Sequence, residues 1–149
     1  MKILILSDNH RVNVDIDINK YDYVIHCGDY GNYYDYVSNN DKVLIVRGNC
    51  DSDGVKEIFK NINGRNVLIL HGDLYNVKSH YNSLVYKAIS RGANIVFFGH
   101  THRADMFVID DIIFINPGSF QDGNYVIIDD NSINFYKDDK IYKKYEFRW

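Results

Sequence analysis

Residues 95–102 have the sequence IVFFGHTH, in which the apolar run Ile95–Phe98 stops at Gly99 and is followed by His100 and His102. A short apolar run bounded by polar residues is typical of a buried strand. Side chains of an extended chain alternate with period two, so the two histidines are expected on one side of the backbone. Imidazole is the commonest metal ligand among protein side chains. The stretch predicts a strand that ends in a pair of metal ligands.

Four earlier apolar runs end in the same way. Asp8 and His10 follow Ile3–Leu6, Asp29 follows Val24–Ile25, Asn49 follows Val43–Val46, and His71 follows Val67–Leu70. Strand ends converge at one edge of an α/β sheet, so these seven side chains are expected to lie together. Taken singly, each residue would be read as a cap or turn residue. Together, carboxylates, an amide and imidazoles without thiolate indicate a catalytic site for divalent ions, and hence a metal-dependent hydrolase.

Length and composition restrict the class of protein. A chain of 149 residues, 46% of them hydrophobic, is expected to form one domain spanning residues 1–149. A net charge of −3 argues against sequence-independent binding to the nucleic-acid backbone, because such binding needs clustered Lys and Arg. No apolar run approaches the about 20 residues of a membrane span, so no membrane partner is expected. Cys27 and Cys50 lie inside motifs rather than at the spacings of a disulfide framework. This indicates a reducing compartment, and we expect a cytoplasmic protein.

The order of elements predicts an α/β fold. Tyr33, Tyr34 and Val37 allow a short helix between residues 28 and 41, and the segment from Ser79 to Arg91 is the clearest helix. Asn63-Gly64 predicts a hairpin between Lys56–Ile62 and Arg65–Leu70. Two packed sheets with helices outside would bury such a set of elements. The remaining strands are expected at residues 2–7, 22–27, 42–47, 94–98, 104–109, 112–116, 124–129, 132–137 and 140–147.

The motifs, in this order along residues 1 to about 130, resemble the five sequence blocks of the calcineurin-like metallophosphoesterase superfamily. The blocks are Asp8-x-His10, Gly28-Asp29, Gly48-Asn49, His71 and Gly99-His100-x-His102. The further stretches Val46–Asp51 and Asn116–Ser119 are similar to the small phosphodiesterase branch found in bacteria and archaea. The resemblance implies a four-layer sandwich of two mixed β-sheets flanked by helices, with a dinuclear metal site on one edge.

The resemblance also implies roles for individual residues. Asp8, His10 and His102 would hold the first ion, Asn49, His71 and His100 the second, and Asp29 would bridge them. Manganese is the expected ion, with nickel, iron, zinc or magnesium as alternatives. A hydroxide activated by the ions would attack the phosphorus of a small-molecule phosphate ester. Asn9, Arg11, Asn49 and Thr101 are candidate phosphate contacts, and Arg11 has the most suitable donors among them. Asn116 is expected to position other residues rather than to bind metal.

Cys50 departs from the wider superfamily, where a histidine at this place is thought to protonate the leaving group. The same change is typical of the small phosphodiesterase branch, and a thiol is a poor substitute for imidazole as an acid. Either Asp51, His80 or a metal-bound water donates the proton, or the substrate needs little help. We expect Cys50 itself to be a small buried residue packed under the site. His26, within a strand, and His80, on a helix, lie away from the strand ends that carry the ligands.

Tyrosines crowd the segment after Asp29. Tyr30, Tyr33, Tyr34 and Tyr36 could form a wall on which a base or aromatic leaving group stacks. They could equally belong to a tyrosine-rich amphipathic helix or to an oligomer surface, which leaves a homo-oligomer open. We favour the structural alternative, because the chain has 13 tyrosines in all.

Two functions from different classes fit the pattern. The first is a hydrolase of phosphate esters, more readily a phosphodiesterase than a phosphomonoesterase, with a nuclease as a subclass. The second is a non-catalytic scaffold on the same fold, similar to the retromer subunit of that architecture. The seven ligand positions all hold competent residues here, whereas a scaffold would be free to lose some, so the hydrolase is preferred.

Overall fold

The chain forms two mixed sheets whose elements follow the predicted order. The computed structural model describes all 149 residues. Its helices are α1 (Tyr33–Val37) and α2 (Asn82–Arg91), with 3-10 turns at Ile18–Lys20, Asp73–Tyr75 and Phe120–Asp122. Its strands are β1 (Ile3–Leu6), β2 (Tyr23–His26), β3 (Val43–Ile45), β4 (Glu57–Ile62), β5 (Arg65–Leu70), β6 (Ile95–Phe97), β7 (Ala104–Ile109), β8 (Ile112–Pro117), β9 (Asn124–Ile128), β10 (Ser132–Lys137) and β11 (Lys140–Glu146).

The strands form one sheet of six and one of five. The first has the order β11-β10-β9-β1-β2-β3, and the second has the order β4-β5-β6-β8-β7. In the first sheet β1, β2 and β3 are parallel, and in the second β5, β6 and β8 are parallel; the outer pairs are antiparallel. Because parallel neighbours present their carboxyl ends at one edge, each sheet has an edge on which loops can gather side chains.

Alternation along the strands explains why the apolar runs are continuous. Ile3 and Ile5 of β1 pack between the two sheets, together with Val67 and Ile69 of β5. Leu4 points to the opposite face of the first sheet, which α1 and the partly buried segment 14–21 cover. Leu68 and Leu70 face α2 on the outside of the second sheet. Both faces of the sheets are buried along Ile3–Leu6 and Val67–Leu70, so every position of these two runs is apolar.

The predicted four-layer sandwich of two mixed sheets flanked by helices is confirmed. The layer outside the first sheet differs from a row of long helices, since it consists of a five-residue helix and an irregular segment. His80 is not on a helix as expected, because α2 begins only at Asn82 and the turn before it bonds the His80 N–H to Asn76 O at 3.3 Å. No helix is long and apolar enough to cross a membrane.

Candidate metal centre

The seven ligand-type side chains lie in the loops that follow five parallel strands. Asp8 and His10 follow β1, Asp29 follows β2 and Asn49 follows β3, all from the first sheet. His71 follows β5, and the pair His100 and His102 follows β6, both from the second sheet. The candidate centre therefore lies between the two sheets, and each sheet positions part of it.

The first group of donor atoms consists of Asp8, His10 and His102. His102 Nε2 lies 3.1 Å from Asp8 Oδ1 and 3.2 Å from His10 Nε2, and His10 Nε2 lies 3.7 Å from Asp8 Oδ1. Two donor atoms that bind one ion at about 2.1 Å are separated by about 3.0–3.4 Å in octahedral or tetrahedral geometry. Two of the three separations lie in this range and the third is longer, so a single divalent ion needs only a small shift of His10 toward Asp8.

The second group is arranged around His71. His71 Nε2 lies 2.9 Å from Asn49 Oδ1 and 3.2 Å from His100 Nδ1. His71 Nδ1 lies 2.7 Å from Cys27 O, so Nδ1 carries the hydrogen and the Nε2 lone pair faces the other donors. A carbonyl that orients the second nitrogen in this way is typical of histidines that bind metals.

Asp29 lies between the two groups. Its Oδ2 is 3.3 Å from His71 Nε2 in the second group and 3.8 Å from His10 Nε2 in the first. Its Oδ1 accepts the Cys50 N–H at 2.9 Å, which fixes the carboxylate's orientation. One oxygen is thus left facing both groups, which is the placement that a bridging carboxylate needs.

Asp8 supplies independent evidence that a cation belongs here. Its side chain is 1% exposed, and its Oδ2 accepts the Ser7 hydroxyl and the His100 N–H. Its Oδ1 is buried and accepts no well-aligned hydrogen bond, although His102 Nε2 lies 3.1 Å away. An unsatisfied buried polar atom costs about 1–3 kcal/mol, and more for a charged group, so a cation at Oδ1 would remove a substantial penalty.

The contact between Asp29 and His71 shifts the pKa of both side chains. Burial by itself would raise the pKa of Asp29, but the His71 hydrogen bond and charge outweigh it and lower that pKa. Burial would likewise lower the pKa of His71, yet Asp29 and Asp8 raise it. The carboxylates therefore favour a positive charge at His71 Nε2, and a bound ion would supply that charge in place of the proton.

Five of the seven proposed ligands have left-handed backbone conformations. The φ angles are 54° at Asp8, 48° at His10, 56° at Asp29, 69° at His100 and 61° at His102. Such conformations are disfavoured for residues with a Cβ, and they concentrate at functional sites. The expectation that period-two alternation brings each Asp-x-His or His-x-His pair together is wrong, because these residues lie in turns beyond the strand ends.

Gly48 and Gly99 allow the carboxylates to approach the backbone. Both have ordinary φ angles, unlike the chain's other eight glycines, so space rather than conformation requires glycine. A Cβ at Gly48 would lie 2.2 Å from Asp29 Oδ1, and one at Gly99 would lie 2.6 Å from Asp8 Oδ2. The glycines at the ends of β3 and β6 thereby set the positions of two proposed ligands.

Gly99→Ala is expected to weaken metal binding by the group of Asp8, His10 and His102 at least about 10-fold, because the new methyl group displaces the Asp8 carboxylate. Elemental analysis of the purified variant, with metal titration, measures this. Gly64→Ala is the matched control, because a Cβ there meets nothing within 4 Å although φ is +89°. The control should lose stability only, by about 1 kcal/mol. Equal metal affinity in Gly99→Ala and the native protein would contradict the role assigned to Gly99.

The candidate phosphate contacts differ in accessibility. Asn9 is fully buried: its Nδ2 donates to Val12 O and Tyr30 O, both at 3.0 Å, and its Oδ1 lies 2.7 Å from His26 Nε2. Its amide hydrogens and its oxygen are all used within the chain, so Asn9 stabilises the loop and is not placed to contact a phosphate. Arg11 is exposed and lines a cleft beside Asp29, where its guanidinium is free to bind an anion.

Thr101 and Asn116 form one hydrogen-bonded unit. Asn116 is fully buried, and its Nδ2 donates to Gly99 O at 3.1 Å and to Thr101 Oγ1 at 3.0 Å. This bond holds the loop between the two histidines, in agreement with the positioning role expected for Asn116. Thr101 remains partly accessible at the edge of the site.

Cys50 is exposed, so the expectation that it packs under the site is wrong. Its thiol lies within 4.8 Å of donor atoms of His10 and Asp29, at the mouth of the cleft. Asp51, the neighbouring acid candidate, accepts the N–H groups of Asp29 and Gly48 at 2.7 Å and of Tyr30 at 3.1 Å. Burial raises the pKa of Asp51, while these N–H groups oppose the rise. Its carboxylate clamps two ligand loops together.

The tyrosine segment divides into buried and exposed members. Tyr30 and Tyr33 are buried in the core outside the first sheet, and Tyr30 stacks on Tyr34 with ring centroids 5.1 Å apart. Tyr36 is 78% exposed. Most of the cluster therefore packs α1 onto its sheet, as the structural alternative expected.

Residues that hold the ligands in place had no signal in the sequence. Ser7 donates to Asp8, and Ser119 Oγ donates to Asp8 O at 2.8 Å from 111 positions away. His26 is buried, donates Nε2–H to Asn9 and accepts the Gly28 N–H at 3.1 Å through Nδ1. Burial and the neighbouring His71 lower the pKa of His26 to about 3, so it stays neutral in this support role. Such contacts join segments remote in sequence and have no spacing rule.

Comparison with known proteins identifies the family to which the chain belongs. The family model described as "Calcineurin-like phosphoesterase superfamily domain" matches residues 1–129. A probable metallophosphoesterase of Bacillus subtilis is 31% identical over 129 residues, covering 81% of this chain and 76% of the relative. A phosphodiesterase of Methanocaldococcus jannaschii is 30% identical over 138 residues, covering 79% of this chain and 83% of the relative.

Solved structures share the fold. A conserved uncharacterized protein of Streptococcus pneumoniae, described as a predicted phosphoesterase, has a TM-score of 0.78 at 23% identity and covers 98% of this chain and 97% of its own. Vacuolar protein sorting 29 of Cryptosporidium parvum has a TM-score of 0.77 at 19% identity, with 99% and 98% covered. Because the family model matches most of the chain and two relatives are at least 30% identical to it, the chain belongs to the calcineurin-like phosphoesterase superfamily.

Proposed function

We propose that this protein is a phosphodiesterase that works with two divalent ions. The first ion would be held by Asp8, His10 and His102, the second by Asn49, His71 and His100, with Asp29 shared between them. The observation that carries the proposal is the single Asp29 oxygen that faces both donor groups, 3.3 Å from His71 Nε2 and 3.8 Å from His10 Nε2. The buried, unpartnered Asp8 Oδ1 adds a second reason for a cation.

When bound, two ions would supply Lewis-acid stabilisation of the phosphoryl oxygens and activate a water molecule near neutral pH. The chain's own residues then have to place the substrate. Arg11 offers a fixed fork of donors at the mouth of the cleft, suited to two non-bridging phosphate oxygens. Asn49 presents its Oδ1 inward at 2.9 Å from His71 Nε2, and its Nδ2 remains at the exposed rim. Arg11 is the phosphate contact that we propose first.

The charge of the cleft favours a diester over a monoester. The cleft has a volume of about 520 Å³, and its wall includes three carboxylates, Asp35, Asp51 and Asp53, in addition to Asp29, and one permanent cation, Arg11. A monoester carries nearly two negative charges at neutral pH and a diester carries one, so the carboxylates repel the monoester more strongly. The relative named as a phosphodiesterase supports the same preference.

We further propose one cytoplasmic domain spanning residues 1–149. β10 and β11 continue the first sheet through β9 beyond the part matched by the family model, so they complete one unit. Cys27 and Cys50 are both free thiols, as a reducing compartment would leave them. The scaffold alternative is supported by likeness of fold alone, and no position of the ligand set has been lost.

Removal of metal is expected to abolish hydrolysis. Exhaustive chelation should lower the activity on bis(p-nitrophenyl) phosphate at least about 10³-fold, and Mn²⁺ should restore more of it than Mg²⁺, because several imidazoles favour a transition ion. Elemental analysis should find two ions per chain, and p-nitrophenyl phosphate should be the poorer substrate. Ni²⁺ and Zn²⁺ complete the comparison of ions. Full activity after chelation would contradict the proposal, and a protein that binds no metal and hydrolyses neither ester would favour the scaffold.

A further inference from the structure

Two cavities of opposite charge flank the metal centre. The first, which we call the acidic cleft, is the 520 Å³ space beside His10 and Asp29 already described. The second, which we call the basic pocket, has a volume of about 360 Å³ and lies on the side of His100 and His102. The basic pocket is lined by Lys78, His80 and Arg103, together with Val77, Ser79, Tyr81 and Thr101. It contains no carboxylate among its lining residues.

The basic pocket is adjacent to the metal centre by its covalent structure. Thr101, part of its wall, stands between the proposed ligands His100 and His102, and Arg103 is the next residue after His102. Consecutive Cα atoms are about 3.8 Å apart, so the Cα atoms of Thr101 and Arg103 each lie about 3.8 Å from the Cα atom of a proposed ligand. The pocket is large enough for a phosphate or a carboxylate on a short chain.

The lysine and the arginine of the basic pocket form no ion pairs. Lys78 and Arg103 have no carboxylate oxygen within 4.0 Å; the one lysine or arginine of the chain with such a partner is Lys87, 3.0 Å from Glu57. Asp105, two residues after Arg103, accepts the Tyr81 hydroxyl at 3.2 Å. The side chains of Lys78, His80 and Arg103 are exposed and make no hydrogen bonds within the chain. The positive field is therefore available to a bound molecule.

We propose that the basic pocket binds a second anionic group of the substrate. The substrate class is then a phosphodiester with one substituent that carries its own negative charge, such as another phosphate or a carboxylate. The other substituent is neutral or cationic and faces the acidic cleft, where Asp35 and Asp53 would repel an anion. The inference rests on the proposed function and adds the orientation in which a diester binds, with its anionic substituent in the basic pocket.

The test compares two esters that differ by one charge. The first compound is 3-carboxypropyl p-nitrophenyl phosphate, a phosphodiester with a free carboxylate. The second is the same phosphodiester with the carboxyl group converted to its methyl ester, which is uncharged. For the Mn²⁺-loaded native protein we expect the carboxylate to lower KM about 10-fold, an effect that 0.5 M salt should reduce because the contacting cations are exposed. In Lys78→Gln/Arg103→Gln, the ratio of the two KM values should approach one. Lys140→Gln, an exposed charge change on β11, is the matched control and should keep the native ratio.

Three outcomes would overturn the inference. Equal KM values for the two esters with the native protein would show that the pocket does not recognise an anion. A preference that survives in Lys78→Gln/Arg103→Gln would place the recognition elsewhere. If the metal-loaded protein hydrolysed neither ester, the proposed function would fail and the inference with it, whereas hydrolysis of both without preference would contradict the inference alone.

Discussion

Asp29→Ala is expected to lower phosphodiester hydrolysis at least about 10³-fold and to remove metal from both positions, because it removes the Asp29 oxygen that faces both donor groups. His102→Ala should mainly reduce the metal content by one equivalent per chain, because His102 Nε2 lies 3.1 Å from Asp8 Oδ1 in the first group. Elemental analysis and turnover of bis(p-nitrophenyl) phosphate on the same preparations measure both effects.

The controls for Asp29 separate metal loss from misfolding. Asp29 Oδ1 also accepts the Cys50 N–H, so Asp29→Ala removes a structural contact together with a ligand. Asp29→Asn keeps an oxygen for that hydrogen bond and should still lose metal, while its thermal unfolding stays near the native value. Asp41→Ala, an exposed carboxylate away from the centre, should change neither quantity. Two equivalents of metal and native turnover in Asp29→Ala would refute the two-ion assignment.

Cys50→His is expected to accelerate hydrolysis of alkyl diesters by about 10²–10⁴-fold, the usual contribution of general acid catalysis. The exposed Cys50 faces the cleft that His10 and Asp29 line, so an imidazole at this position would face the departing oxygen. In the native protein Asp51 is bound by three backbone N–H groups, and no imidazole lines this cleft apart from His10. Negative charge then develops on the leaving group itself, and aryl diesters should react much faster than alkyl ones.

The measurement is the slope of log rate against leaving-group pKa over a series of diesters. The slope should be steep in the native protein and shallower in Cys50→His. Cys50→Ser is the matched control and should change little, because the side chain is exposed and the smaller hydroxyl leaves no cavity. A shallow native slope combined with a large loss in Cys50→Ser would mean that the thiol itself is catalytic.

Much of the fold could be predicted from the sequence because local patterns encode it. The apolar runs of β1, β5 and β6 are continuous since both faces of each sheet are buried. Asn63-Gly64 predicted the hairpin of β4 and β5, which pairs Ile62 with Arg65. The start of α2 was placed too early, because residues 76–79 form a turn, and Asn76 O accepts the N–H groups of Ser79 and His80 ahead of the helix.

The identities and order of the seven ligand-type residues were also determined by the sequence, since parallel strands have to present their ends at a common edge. How they meet was decided by tertiary structure. Left-handed φ angles at Asp8 and His102 turn their side chains together, and such angles cost free energy that only the surrounding packing can offset.

Accessibility likewise depended on the whole fold. Cys50 lies exposed at the cleft and Asn9 lies fully buried, although both were adjacent to ligands in the sequence. The basic pocket unites Lys78 with Arg103, 25 positions later, on one side of the centre. The sequence alone determined which chemical groups the strand ends carry, because apolar periodicity and residue type are local properties. Only the tertiary structure decided which of those groups face solvent or a shared ion, because burial and distance depend on how segments remote in the chain pack against one another.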